Sequence, residues 1–198
     1  AAPDLGSGVV RRVGSSPISR TKNKLEAFKI LSWRLFNWLD MKKHQLCCIG
    51  HITLDKVVTP QNTVYMPGGT AFYCSHAIRH FNDIDCALVT AVGATEMNVV
   101  EQLREMGIHV TALPSKYSVY FENIYGANPD DRTQRVLAKA DPFTAGQLKD
   151  IDAQIYHLGS LLADDFSLEV IKELSQKGLI AVDSQGYLRE VRDTHVYP

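Results

Sequence analysis

Gly50-His51-Ile52-Thr53-Leu54-Asp55, followed by Pro67-Gly68-Gly69-Thr70, are the stretches whose reading decides the fold. The first is entered from Leu46-Cys47-Cys48-Ile49, a short apolar run closed by glycine, which reads as a strand buried on both faces. The second is strong backbone punctuation. After it, Thr70 to His80 carries Phe72 and Ala77, with Phe81 just beyond, and predicts a helix. Two glycines before a helix allow positive φ and close approach, and the free N–H groups of a helix start favour oxygen-rich ligands. The stretch lacks the Gly-Lys-Ser/Thr of a phosphate loop and the third glycine of a dinucleotide fingerprint.

Working outward, Val57-Val58 and Val64-Tyr65 read as extended chain interrupted at Pro60. Ala87 to Gly93 predicts a second buried strand, and Asn98 to Met106 a helix ended by Gly107 in the C-cap position. Val110 to Leu113 predicts another strand. Tyr117 to Ala138 differs in kind: a polar hairpin around Asn128-Pro129-Asp130-Asp131, reading as a projecting lid. Gln154 to Gly159 and Leu179 to Asp183 return to buried strands, joined by an amphipathic helix over Ser167 to Lys177 with Leu168, Ile171 and Leu174 as its apolar positions. This alternation implies an α/β fold: three α/β/α layers around a mainly parallel sheet, with a small β-lid. Ligands of such sheets sit beyond the carboxyl ends of the strands, where Gly50 to Asp55, Gly68-Gly69, Gly93, Gly159 and Asp183 all fall.

The 198 residues are 45% apolar and 22% charged, with a formal charge of −1, which gives no pull toward nucleic acid or an anionic membrane surface. No apolar run is long enough to cross a bilayer. Cys47, Cys48, Cys74 and Cys86 form no CxxC pair and read as buried free thiols, which points to the cytoplasm. Residues 1–40 stand apart. Ala1 to Arg20 is Gly-, Ser- and Pro-rich and reads as a flexible arm. Thr21 to Asp40 has Leu25, Phe28, Leu31, Leu35 and Trp38 at helical spacing and predicts an amphipathic helix. Met41-Lys42-Lys43 looks like a natural start, so the functional domain is placed at 41–198.

Asp55 has the chemistry to accept two hydrogen bonds from adjacent hydroxyls, and the competing interpretation is a solvated loop acid. Gly68-Gly69 is either a ligand-binding turn or a tight turn only. His76 and His80 lie one helical turn apart but lack the acid of a metalloprotease helix, so no metal site is expected. Asp164-Asp165 reads as a helix N-cap.

Gly50-x-x-x-x-Asp55, Pro67-Gly68-Gly69 opening a helix, Val92-Gly93, Arg104-x-x-Gly107, the lid hairpin of about 117–138 and Asp183-x-Gln185-Gly186-x-x-Arg189 together resemble the front part of the ribokinase-like (PfkB) carbohydrate kinases, over roughly Gln45 to Arg189. The resemblance implies a sugar or polyol kinase using ATP and Mg2+. Asp55, with Gly68, Gly69 and Tyr73, would bind substrate; Gly68-Gly69 would be the lid hinge; Phe121 and Asn123 would belong to the lid; Asp183, Gln185 and Arg189 would be nucleotide-side or structural residues. Tyr73 stands where these kinases often have a sugar-binding Asn. The Gly-Ala-Gly-Asp motif, which supplies their anion hole and catalytic base, does not occur in the sequence, nor is the Asn-x-x-Glu motif recognisable. The resemblance therefore implies an incomplete domain whose C-terminal part, with the ATP site and catalytic base, lies outside these residues, and no catalytic residue within them. The alternatives are a non-catalytic binding protein for a polyhydroxylated molecule and an oligomerisation domain. A homodimer through the lid is a further expectation.

Overall fold

The computed structural model describes residues 24–32, 43–81, 83–128 and 130–197. The chain divides into two units between Met41 and Lys42. In the first, residues 24–32 form helix α1; the rest of the anticipated arm and helix lies outside the described residues.

In the second unit the chain runs β1 (His44–Gly50), β2 (Thr53–Val58), β3 (Thr63–Gly68), α2 (Gly69–Ile78), β4 (Cys86–Val92), a short 3₁₀ turn, α3 (Met97–Glu105), β5 (His109–Pro114), β6 (Val119–Tyr125), β7 (Arg132–Ala138), α4 (Ala145–Leu148), β8 (Ala153–Gly159), α5 (Leu168–Ser175), β9 (Leu179–Val182), β10 (Glu190–Arg192) and β11 (His195–Tyr197). Five strands make a wholly parallel sheet in the order β5-β4-β1-β8-β9. Its central strand β1 is apolar on both faces because both are covered. Cys47 and Ile49 pack with Leu148, Val170 and Leu174 of α4 and α5; Cys48 packs with Ala71 of α2 and Val99, Val100 and Leu103 of α3. Successive residues thus enter opposite cores, and the three-layer α/β/α arrangement holds. The four cysteines are free thiols.

Two local readings are corrected. On α5, Leu174 is buried and Ile171 packs against the core as anticipated, joined by Val170, whereas Leu168 is 85% exposed because it is the first helical residue after the Ser167 cap, which accepts from Val170 N at 3.3 Å. His80 lies beyond the end of α2 and is not one helical turn from His76 on a common helix.

The lid is larger than a hairpin. β6 and β7 do pair antiparallel, but within a second sheet of six strands, β10-β11-β7-β6-β2-β3. The chain leaves β1 at Gly50, crosses at His51-Ile52, and enters the lid sheet directly as β2. There it pairs antiparallel with β3 and parallel with β6. The segments around Pro60 are therefore lid strands joined by a turn. Leu161 and Leu162, from the loop after β8, are buried under Val119, Phe121 and Val136 and tie the two sheets together.

β3 returns to the parallel layer at Gly68-Gly69 with no intervening linker. Gly69, the first residue of α2, has φ +88°, and a Cβ there would meet the His51 carbonyl oxygen at 2.3 Å. A Cβ on Gly68 would lie 2.4 Å from Asp55 Oδ2. The pair is glycine because two other segments occupy the space a side chain needs, and at Gly69 the backbone also has a sign of φ that costs an L-residue about 1–2 kcal/mol. Gly69→Ala is expected to destabilise the fold by at least about 2 kcal/mol in urea denaturation, strain and clash combined. An unchanged midpoint would contradict this account of the crossing.

Candidate functional site

Strand alternation places one face of the lid sheet over the carboxyl ends of β1, β8 and β9. In β2, Thr53, Asp55 and Val57 face inward; their register partners on β6, Phe121 and Asn123, and on β7, Gln134, continue the same face. The opposite face carries Lys56, Glu122 and Arg135. There Glu122 is held by Lys56 at 2.8 Å and Arg135 at 3.2 Å, so the outer surface is a charged ladder. Between the lid and the parallel sheet lies a cavity of about 750 Å³. It brings together Asp55, Gly69, Tyr73, Phe121, Asn123, Asp183, Gln185 and Arg189, eight of the nine residues singled out from the sequence; Gly68 packs against Asp55 at its edge.

Asp55 is not a solvated loop acid. It sits inside β2, between Met66 of β3 and Phe121 of β6, and is half-buried. Thr53 Oγ1 donates to Asp55 Oδ1 at 2.7 Å, which fixes the carboxylate rotamer. Burial pushes the Asp55 carboxyl above its ordinary value; the Thr53 hydroxyl and the charge of Arg189 pull the other way. A hydroxyl-rich ligand would find acceptors already aimed, the condition for low ordering cost.

Asp183 follows β9. Its Oδ1 accepts from Gln185 N at 2.9 Å, closing a turn, and its Oδ2 accepts from Thr70 Oγ1 at 3.5 Å. Arg189 donates from Nη1 to the Leu161 carbonyl at 3.1 Å and lies 5.7 Å from the centre of the Phe121 ring. It thus spans from the parallel layer to the lid and lines the same cavity as Asp55. Asn123 Oδ1 accepts from Gln134 Nε2 at 2.9 Å, and both residues are buried. Tyr73 is exposed at the rim.

Below the cavity, His51 and Asp165 form a buried pair. His51 Nδ1 faces the Ala91 carbonyl at 3.2 Å, so Nδ1 carries a proton and donates. His51 Nε2 then faces Asp165 Oδ1 at 3.6 Å, and Phe143 stacks on the ring at 4.5 Å. Asp165 Oδ2 accepts from Leu161 N at 2.7 Å and Leu162 N at 3.0 Å. Burial pulls the His51 imidazole down and pushes the Asp165 carboxyl up, each shift opposed by the charge of the other group. The expectation that Asp164-Asp165 caps α5 is therefore wrong. Ser167 is the cap, Asp165 organises the loop under the lid, and Asp164 pairs with Lys139 at 2.8 Å.

Thr53, Thr70, Arg132, Gln134 and His157 also line the cavity and were not singled out. The signal for Thr53, Arg132 and Gln134 was the two-residue period along β2 and β7, which becomes readable only once those segments are known to be strands of one sheet. Among the described residues no three His, Cys, Asp or Glu side chains converge to hold a metal ion. No helix among the described residues is long and apolar enough to cross a membrane.

No protein-family model and no curated protein matches the sequence. Solved structures do match. A pyrophosphate-dependent kinase in the ribokinase family, in a sulfate complex, superposes with a TM-score of 0.68 at 25% identity, over 77% of this chain and 55% of that one. A nucleoside kinase of Methanocaldococcus jannaschii, an archaeal member of the ribokinase family, gives 0.56 at 16% identity, over 74% and 54%. Phosphofructokinase-2 of Escherichia coli, in complex with fructose-6-phosphate, gives 0.52 at 16%, over 71% and 55%. The chain spans about half the length of these structures. With its parallel sheet flanked by helices and its second sheet over the carboxyl ends, the chain has the ribokinase-like fold.

Proposed function

We propose that this chain forms the acceptor-binding part of a kinase that transfers a phosphoryl group to a hydroxyl of a sugar, polyol or nucleoside. The observation that carries the proposal is Asp55: a half-buried carboxylate, oriented by Thr53, on the inner face of a lid strand above the carboxyl ends of a parallel sheet. The similar structures are kinases of the ribokinase family, one of them pyrophosphate-dependent, so the donor is ATP or pyrophosphate.

Binding follows from the donor and acceptor inventory. An ionised carboxylate accepts from two vicinal hydroxyls, and Asn123, Gln134 and Gln185 add amide groups around the same space. Phe121 offers an apolar face to the ring of a sugar or polyol. The crossing at Gly68-Gly69 is the hinge: a small rotation there moves β3, and the lid sheet with it, toward the parallel layer, excluding water from the acceptor hydroxyl. Phosphoryl transfer needs positioning and charge neutralisation above all. Asp55 supplies the positioning of the acceptor. The proposal assigns neither the donor site nor the catalytic base to the residues named here, and it keeps the lid as the surface through which a second copy would dock.

Three outcomes are expected. Asp55→Asn weakens binding of an acceptor polyol about tenfold to a hundredfold by titration calorimetry, as expected for losing one or two charge-assisted hydrogen bonds. The same variant keeps or raises the melting temperature. Because burial raises the pKa, folding favours the protonated form, so the contribution of Asp55 to stability is present at low pH and lost as pH rises through the folded value. At neutral pH the ionised group is a cost that Asn removes. Equal affinity in the two proteins would overturn the assignment. Wild-type affinity should also fall on acidification, since only the carboxylate accepts both hydroxyls, with a midpoint above the usual value of 3.8. A midpoint at or below that value would show that a different group holds the ligand.

A further inference from the structure

The cavity is asymmetric in charge. Asp55 and Asp183 lie on the side of Gly69 and Thr70. Arg132, Gln134, Gln185 and Arg189 line a zone shared with a second recess of about 430 Å³, which is also lined by Tyr197 and whose one acid is Asp130. The two guanidiniums come from segments far apart in sequence: Arg132 begins β7, and Arg189 immediately precedes β10 of the same lid sheet and bonds the loop after β8. Neither is in an ion pair among the described residues, although Arg104, Arg135 and Arg192 each are. Arg132 makes no side-chain hydrogen bond among the described residues. Arg189 uses one N–H, on the Leu161 carbonyl, of the five that a guanidinium carries. Burial and the positive charge of Arg132 pull Arg189 below its ordinary value, while the charges of Asp183, Asp165 and Asp55 oppose this in part; an anion between the two arginines would offset the remainder.

Two converging cations with spare donors, flanked by two carboxamides and no matching carboxylate within ion-pair distance, are a bidentate oxyanion site. We propose that Arg132 and Arg189 form a subsite for a phosphate monoester borne by the acceptor, so that the substrate class is a phosphorylated sugar or polyol. This rests on the acceptor-binding role of the cavity proposed above. Asp55 takes the hydroxyls at one end while the arginines take the phosphate at the other, and the anion ties the start of β7 to the segment entering β10. Phosphate is also part of ATP and pyrophosphate, so the test separates an acceptor's phosphate from a donor's.

Titration calorimetry of the 198-residue chain should compare D-fructose with D-fructose 6-phosphate, D-ribose with D-ribose 5-phosphate, and myo-inositol with a myo-inositol monophosphate, alongside pyrophosphate and ATP alone. At least one ester is expected to bind about tenfold or more tighter than its parent, the scale of one or two charge-assisted hydrogen bonds. Arg132→Gln should lower that ester-to-parent ratio about tenfold. Arg132→Lys, which keeps the charge without the fork, should lower it less. No preferred ester, or a ratio untouched by Arg132→Gln, overturns the proposal. Arg132-dependent binding of pyrophosphate or ATP without a preferred ester overturns it too, and assigns the arginines to the donor. Asp55→Asn separates the two proposals: if it leaves every parent polyol's affinity unchanged while Arg132→Gln still removes the ester preference, the hydroxyl-binding role fails and the phosphate subsite stands.

Discussion

The contact between the His51 carbonyl and the Cα of Gly69 is the constraint on which the rest of the structure depends. Two backbone segments pass there with no room for a Cβ: the outgoing crossing from β1 into the lid, and the returning crossing from β3 into α2. Because both crossings meet beside His51, just past the end of β1, the lid sheet is held over the carboxyl ends of the parallel strands and can move only by turning about this point. It does not hang from a flexible linker. Asp55 inherits its position from this arrangement, since it lies four residues after His51 and its Oδ2 rests against Gly68. His51 in turn is fixed by Ala91 and Asp165, and Asp165 fixes the loop carrying Leu161 and Leu162 on which the lid sheet packs. A buried His–Asp pair contributes little net stability by itself, but breaking it leaves an uncompensated polar group beneath both sheets.

The polar side chains of the cavity are few and already committed in geometry. Thr53 holds Asp55, Gln134 holds Asn123, the Gln185 backbone holds Asp183, and the Leu161 carbonyl with the Phe121 ring holds Arg189. Such restraint is expensive in side-chain entropy and is recovered when a ligand meets groups that need no reordering. It also raises the energy of the empty site. Burial pushes the Asp55 carboxyl above its ordinary value and pulls the Arg189 guanidinium, which stays charged, below its own. A site that is electrostatically uncomfortable without ligand is the usual signature of binding function, at some expense to stability.

The parallel layer was legible from the sequence because its strands are continuous apolar runs between glycines; β1, β4 and β8 fall within a residue or two of where the runs place them. The glycine pair was legible for the same reason: its neighbours leave no alternative. The lid was half legible. The β6–β7 hairpin has its turn residues, but β2 and β3 are short, polar and interrupted by Pro60, and β10 and β11 have three residues each. Their sheet partners are distant in sequence, so propensity carries little information about them. That is why Asp55 looked like a loop residue, and why Arg132 and Gln134 went unremarked. Asp165 was misread because an acid before a helix fits a cap, while its burial under His51 depends on a loop whose path no local pattern encodes.

The central claim is that the space between the two sheets is the ligand site and that Asp55 is its hydroxyl-binding group. The most direct measurement is a ¹H–¹⁵N correlation titration of the chain with the polyol or sugar phosphate that binds it. The account predicts shifts concentrated in Thr53–Val58, Gly68–Tyr73, Val119–Tyr125 and around Asp183–Arg189, with the α3 and β5 amides unmoved. Shifts confined to α3, β5 or the outer lid residues Lys56, Glu122 and Arg135 would contradict it.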